Sequence, residues 1–244
     1  MVRKWALAAG VILSLAVLVL SLNSGKAHAA GNENTLLSLL QAFFIDNMED
    51  KNNQIIPQLN RYGYWYDYVD TTGSTITPAP RMAFLMSPNG GDAPSFLGKY
   101  SAQISGTRKS MGWAGMGFHF CTDKKTYDVT FGNTNLFTMV CFYAKANHMV
   151  RFTMPDKDTD PLGGVCDKCY DHFGTWINMT NNWTLYSVPF STLQQEGWGG
   201  WDSMHSPTAF DPKHVFGCQW QFGTMGDSDG TYNYSLAVDN VMLL

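Results

Sequence analysis

The chain has 244 residues, 20 acidic against 16 basic, a formal net charge of −4, and only 15% charged side chains against 45% hydrophobic ones. Such a composition lacks the surplus of Lys and Arg that binds phosphates, which argues against nucleic acid or an anionic membrane as partner. Length and a 14% aromatic content suit a single β domain large enough to bury its own core.

Residues 1–29 read as an export signal. Arg3 and Lys4 supply the positive start, residues 6–22 are an apolar run, and Ala27-His28-Ala29 is an A-x-A cleavage site. Cleavage after Ala29 leaves 215 residues and removes Arg3, Lys4 and Lys26, taking the net charge to −7. A retained anchor is the competing reading, because the run approaches the ~20 residues that span a bilayer. The A-x-A site favours cleavage, so no stable membrane anchor is expected, and no Cys follows the run to carry a lipid. Residues 30–42 are a short leader in which 35–40 could form a turn of helix.

From Phe43 to Leu244, short apolar runs alternate with Gly, Asn, Asp, Ser and Thr, the pattern of many short strands. No stretch of 12 or more residues carries a convincing helical period, and no internal repeat divides the chain. Residues 62–68 hold five aromatics in seven positions, and 71–89 read as a loop or irregular edge. A Gly-rich turn at 112–117 enters a strand. Further strands are expected at 136–144, 149–154, 176–180, 183–190, 215–222 and 234–243. A long loop at 194–206 carries Trp198, Trp201 and His205. The expected architecture is an all-β, antiparallel β-sandwich.

Several fragments in this order carry a resemblance: Ile45-Asp46-Asn47-Met48-Glu49-Asp50, Gly115-Met116-Gly117-Phe118, Phe142-Tyr143-Ala144-Lys145, Trp183 with Tyr186-Ser187-Val188-Pro189-Phe190, and Val238-Asp239-Asn240-Val241. Together they resemble the jelly-roll carbohydrate-binding modules, especially family 11 and related galactose-binding-like domains. Cys166 and Cys169 followed by Asp171-His172-Phe173-Gly174 match a subgroup of them. The resemblance implies a jelly roll over 43–244 that binds polysaccharide or oligosaccharide. It also implies a structural calcium where first and last strands meet, with Asp46, Glu49 and Asp239 as ligands. Hard oxygen donors suit that ion, although the same acids could simply form turns. Residues 156–160, an alternating acidic loop, are a weaker calcium candidate.

Strand alternation then predicts the binding surface, since successive side chains point to opposite faces. With Cys218, Trp220 and Phe222 inward, Gln219 and Gln221 face out; Arg151 and Thr153, Cys141, Tyr143 and Lys145, and His119 and Cys121 face out on the same logic. If one sheet carries these sets, Tyr143, Arg151, Gln219 and Gln221 form a concave platform whose amides, guanidinium and ring suit a sugar. Trp198 and Trp201, and next Tyr64, Trp65 and Tyr66 from the aromatic cluster, are the candidates to stack at its rim. Trp113, Trp183 and Trp220 are expected in the core.

The five cysteines leave an odd thiol. Cys166 and Cys169 suit a local disulfide; a zinc site with His172 and a redox pair are the alternatives. Cys121 and Cys141, both outward, are expected to pair, with Cys218 a buried thiol. No nucleophile elbow, metalloprotease helix or phosphate loop is present, and no pair of acids stands out as glycosidase carboxylates. The reading is a protein that binds carbohydrate without transforming it, secreted, periplasmic or at the cell surface. Its rivals are a cell-surface protein that keeps the fold for contacts with partner proteins, and a polysaccharide hydrolase or lyase.

Overall fold

The computed structural model describes residues 43–79, 84–123, 125–130, 137–166, 169–199, 209–223 and 230–244, and the unit it describes runs from Phe43 to Leu244. Its strands are β1 (Phe44–Asp46), β2 (Trp65–Val69), β3 (Ser87–Pro88), β4 (Tyr100–Arg108), β5 (Ala114–His119), β6 (Met139–Ala146), β7 (Val150–Met154), β8 (Phe173–Ile177), β9 (Thr184–Pro189), β10 (Gly217–Phe222) and β11 (Tyr232–Leu243). The only other regular elements among the described residues are single 3-10 turns. A five-stranded sheet runs β2-β5-β10-β7-β8 and a six-stranded sheet β3-β4-β11-β6-β9, with β1 also paired to β11. Every pairing is antiparallel. The expected antiparallel β-sandwich is the fold observed.

The strands form where apolar residues recur at every second position. In β10, Cys218, Trp220 and Phe222 are buried while Gln219 and Gln221 are half-exposed. The inward sets of the two sheets meet around Trp220. Its ring stacks on Trp65 (centroids 5.6 Å apart, planes at 16°) and meets Phe142 of the opposite sheet edge-on at 5.1 Å. Phe152 and Phe118 complete the cluster, and burying aromatic surface on this scale stabilises the domain.

Three expectations need correction. β4 had no counterpart in the sequence reading: its inward positions include Ala102 and Ile104, but the intervening Gln103, Ser105 and Thr107 make it look like a loop. β8 begins at Phe173 rather than at Trp176. Trp113 is 41% exposed rather than core, and stands beside Tyr68 with ring centroids 5.7 Å apart.

The candidate ligand-binding face

The outer face of the five-stranded sheet is organised by strand register. Gln219 of β10 pairs with Gly117 of β5 and Thr153 of β7; Gly117 pairs with Tyr66 of β2, and Thr153 with Gly174 of β8. One row therefore reads Tyr66, Gly117, Gln219, Thr153, Gly174. The row beside it reads Tyr68, Gly115, Gln221, Arg151, Trp176 by the same pairings. Because side chains directly opposite in a sheet share a face, ten positions on five strands form one two-row surface.

Aromatic rings mark the two sides of this surface, with amides in the middle. Tyr66 and Tyr68 lie 6.0 Å apart by centroid, and Tyr66 also stacks on His119 at 4.6 Å. The Gly positions of β5 keep the floor low between the tyrosines and the glutamines. A Cβ on Gly115 would stand 2.6 Å from the Tyr68 hydroxyl oxygen, and one on Gly117 would stand 2.9 Å from Gln219 Cγ. The polar groups are oriented by one another. Thr153 Oγ1 donates to Gln219 Oε1 at 3.2 Å, Gln219 Nε2 donates to Tyr66 OH at 2.9 Å, and Tyr68 OH donates to Gln221 Oε1 at 3.3 Å. Burial raises the pKa values of both tyrosines above the ordinary phenol range, so these phenols remain donors well into alkaline pH.

On the β8 side, residues 194–199 fold back over the sheet. Asp171, fully buried just before β8, accepts the backbone N–H groups of Glu196 (2.9 Å), Gly197 (2.7 Å) and Gly199 (3.2 Å). Glu196 in turn accepts the indole N–H of Trp176 at 2.7 Å and that of Trp198 at 2.9 Å, and pairs with Arg151 Nη1 at 3.1 Å. The Trp198 ring stays 57% exposed at the rim.

The sequence-predicted site residues separate accordingly. Gln219, Gln221 and Arg151 share the outer face as expected. Arg151, however, is only 4% exposed; its Nη2 donates to the carbonyls of His172 and Gln194 and lies 3.9 Å from Asp171. Burial lowers its pKa, while the charges of Glu196 and Asp171 oppose that shift. Tyr143 does not join them. It points outward from β6 of the other sheet and meets Phe96 edge-on at 5.2 Å. Trp65 is not a rim residue either: it is buried between the sheets and donates its indole N–H to Asp46 Oδ2 at 2.7 Å. Its inward position places Tyr66, a stacking candidate from the sequence, and Tyr68, which the sequence reading missed, on the outer face. Trp198 is at the rim, and Trp201 lies outside the described residues.

Among the cysteines, Cys166 and Cys169 form the expected disulfide, which removes the zinc reading with His172. That histidine is buried, with Nδ1 3.1 Å from Thr159 Oγ1. Cys121 and Cys141 are free, a correction to the expected pair. Both are buried, and Cys141 belongs to β6 in one sheet while Cys121 follows β5 in the other. Cys141 Sγ donates to Ser187 Oγ and Cys121 Sγ to the Asn60 carbonyl. Cys218 is a buried free thiol, as expected.

The three acids expected at a calcium site lie at the β1–β11 junction. Asp46 accepts Met48 N–H and Trp65 Nε1–H, and burial raises its pKa to about 6. Glu49 Oε1 accepts the backbone N–H groups of Lys99 and Tyr100. Burial, and then the charges of Glu49 and Asp46, raise Asp239 to about 8. Asn89 Nδ2 donates to Asp239 Oδ2 at 3.3 Å, while its own Oδ1 is buried without a hydrogen-bond partner. No group of three or more His, Cys, Asp or Glu among the described residues is close enough to hold a metal as it stands. Asp239 with the orphaned Asn89 Oδ1 nevertheless fits a hard cation in donor chemistry. The acidic loop at 156–160 is committed to internal bonds: Asp156 accepts from Thr159 and from the N–H of Asp211.

No protein family matches the sequence, and no curated protein matches it. Among solved structures, the chain is similar to the family 11 carbohydrate-binding module of the cellulosomal cellulase Lic26A-Cel5E of Clostridium thermocellum. The identity is 15% over 82% of this chain and 92% of that one, with a TM-score of 0.51. The fold is the β-sandwich of carbohydrate-binding modules. Two other matches are the family 11 module of Clostridium thermocellum in complex with a β-1,3-1,4-mixed-linked tetrasaccharide (14% identity, 80% of this chain and 95% of that one, TM-score 0.47) and the family 30 module of its cellulosomal cellulase Cel9D-Cel44B (13%, 79% and 96%, TM-score 0.44). No helix among the described residues is long and apolar enough to cross a membrane.

Proposed function

We propose that this chain is an exported carbohydrate-binding protein that holds a polysaccharide or oligosaccharide on the outer face of the five-stranded sheet without transforming it. The observation that carries the reading is the two-row face itself. Tyr66, Tyr68 and Trp113 stand on one side, Trp176 and Trp198 on the other, and between them the glycine-lowered floor presents the two glutamines. Rings can stack on the apolar faces of pyranoses, while amides and phenols hydrogen-bond hydroxyls in pairs. The fold shared with a family 11 module supports the same reading, and the export-signal pattern at 1–29 supports the location.

The binding test is a glycan array with the wild-type chain and with Tyr68→Ala and Trp198→Ala. Wild-type binding that both substitutions weaken supports the proposed face. Wild-type binding unchanged in both variants places the site elsewhere, and release of reducing ends or unsaturated products by the wild type would replace the receptor reading with an enzymatic one.

We further propose a structural calcium held by Asp239, Asn89, Glu49 and Asp46, where it would offset the mutual repulsion of the acids and tie β1 and its following loop to β11. Thermal melting with and without a chelator tests it. A lowered midpoint that calcium restores is expected, and an unchanged midpoint removes the ion.

A further inference from the structure

We propose that Glu196 is the positioning and specificity residue of the outer face: it pins both indoles of the β8 side and screens Arg151, restricting the face to uncharged glycan chains. The inference rests on the carbohydrate-binding reading above and adds the class of chain accepted and the residue that sets it.

One carboxylate performs both tasks by geometry. Glu196 Oε1 holds Trp176 Nε1 at 2.7 Å, and Oε2 holds Trp198 Nε1 at 2.9 Å and Arg151 Nη1 at 3.1 Å. An indole has a single N–H donor, so fixing it removes most of the ring's rotational freedom. Trp176 is thereby held within its row and the exposed Trp198 at the rim, before any ligand arrives. The backbone beneath them is fixed separately, by Asp171 accepting the N–H groups of Glu196, Gly197 and Gly199.

The same contacts determine charge. Arg151 is the cation of the two rows; its Nη2 is held by the His172 and Gln194 carbonyls, and an Nη1 without a carboxylate partner would attract a uronate carboxylate in a charge-assisted hydrogen bond. Here it lies between Glu196 and the buried Asp171, so one positive charge faces two negative ones. A uronate would have to displace Glu196 and approach the Asp171 charge at the same time. A neutral sugar meets neither cost.

The test uses hydroxyethylcellulose as the neutral chain, polygalacturonate as the anionic one, and the variants Glu196→Gln, Glu196→Ala and Trp198→Ala. Indole N–H resonances are recorded for each protein without ligand. In the wild type, the Trp176 and Trp198 indole protons are expected downfield and slow to exchange. In Glu196→Ala both are expected to move upfield and exchange at least tenfold faster. Hydroxyethylcellulose binding is expected to weaken about tenfold in Glu196→Ala, the ordering cost of the released side chains, and polygalacturonate binding is expected to appear in both Glu196 variants. Glu196→Gln keeps one acceptor and should retain most of the neutral-chain affinity.

Unmoved indole signals in Glu196→Ala overturn the pinning whatever the glycan results. Polygalacturonate bound by the wild type, or refused by both Glu196 variants while hydroxyethylcellulose still binds, overturns the screening. A wild type that binds neither chain sinks the present statement about uncharged chains, and the glycan array then decides separately whether carbohydrate binding itself stands. Hydroxyethylcellulose binding that is unaltered in Trp198→Ala tells against the face, and the indole signals still decide the pinning.

Discussion

Replacing Asp171 by Asn separates charge from shape at the point where the 194–199 segment is fastened to the sheet. The wild-type carboxylate is fully buried, accepts three backbone N–H groups at 2.7–3.2 Å and lies 3.9 Å from the Arg151 guanidinium. Hydrogen bonds to a charged group contribute about 1.5–3 kcal/mol each, and leaving one partner of a buried ion pair behind costs about 3–5 kcal/mol. These terms do not add. The segment can peel from the sheet and give its N–H groups to water, so the loss is capped by the cost of undocking it. An asparagine keeps one acceptor but turns an amide N–H₂ toward the donors of Gly197 and Gly199. We therefore expect Asp171→Asn to lose about 3 kcal/mol, within that buried-pair range. The assay is urea unfolding combined with amide hydrogen exchange, because a peeled segment loses protection at Glu196, Gly197 and Gly199 even when the sandwich survives. A variant with the wild-type midpoint and unaltered exchange at those three amides would refute the argument that the carboxylate fastens the segment.

Acid should act on His172 in a defined direction. Burial, and then the Arg151 charge, lower its pKa from 6.5 to about 3, so its share of stability is complete above pH 6.5 and is lost as pH falls toward 3. The share is at most about 5 kcal/mol, and Asp46 and Asp156, both raised to about 6 by burial, work in the opposite sense, their share present below about pH 4 and lost as pH rises through 6. His172→Gln should flatten the acid limb of a stability-versus-pH curve; an unchanged limb assigns it to other groups. Thiol titration in guanidinium without reductant should find three free groups, from Cys121, Cys141 and Cys218. One group instead of three would restore the Cys121–Cys141 bridge. Gly117→Ala forces a Cβ to 2.5 Å from the Cys218 carbonyl oxygen and 2.9 Å from Gln219 Cγ, and should cost about 1–3 kcal/mol in unfolding measurements, with weaker glycan binding. Full stability together with full binding would show that the low floor at β5 is dispensable.

Strand parity was legible because the core demands it: once Trp220 is inward, Gln219 and Gln221 have no other side to occupy. Parity assigns a side but not a sheet. Tyr143 and Arg151 are both outward, yet β6 and β7 belong to opposite layers, because the turn between them crosses the sandwich instead of forming a flat hairpin. The same crossing between β5 and β6 separates Cys121 from Cys141. Tyr68 was equally within reach of the alternation rule, but naming Tyr64, Trp65 and Tyr66 together as stacking candidates ignores that Trp65 takes the inward position of its strand, which puts Tyr66 and Tyr68 on the same outer side. The fastening by Asp171 had no local signature. Its partners lie 25 to 28 positions further along the chain, and a buried aspartate in Asp-His-Phe-Gly looks no different in sequence from a turn residue.

The bonds Thr153 to Gln219 to Tyr66 all point one way across the strands. The Tyr66 oxygen receives the last of them, so its own proton is the end of the relay and is left to donate outward. Reversing the Gln219 amide would break both of its bonds at once. The face is therefore polar in the vectorial sense, with a hydrogen-bond arrow running from β7 to β2. A sugar chain, whose two ends differ, would meet that arrow in one orientation differently from the other.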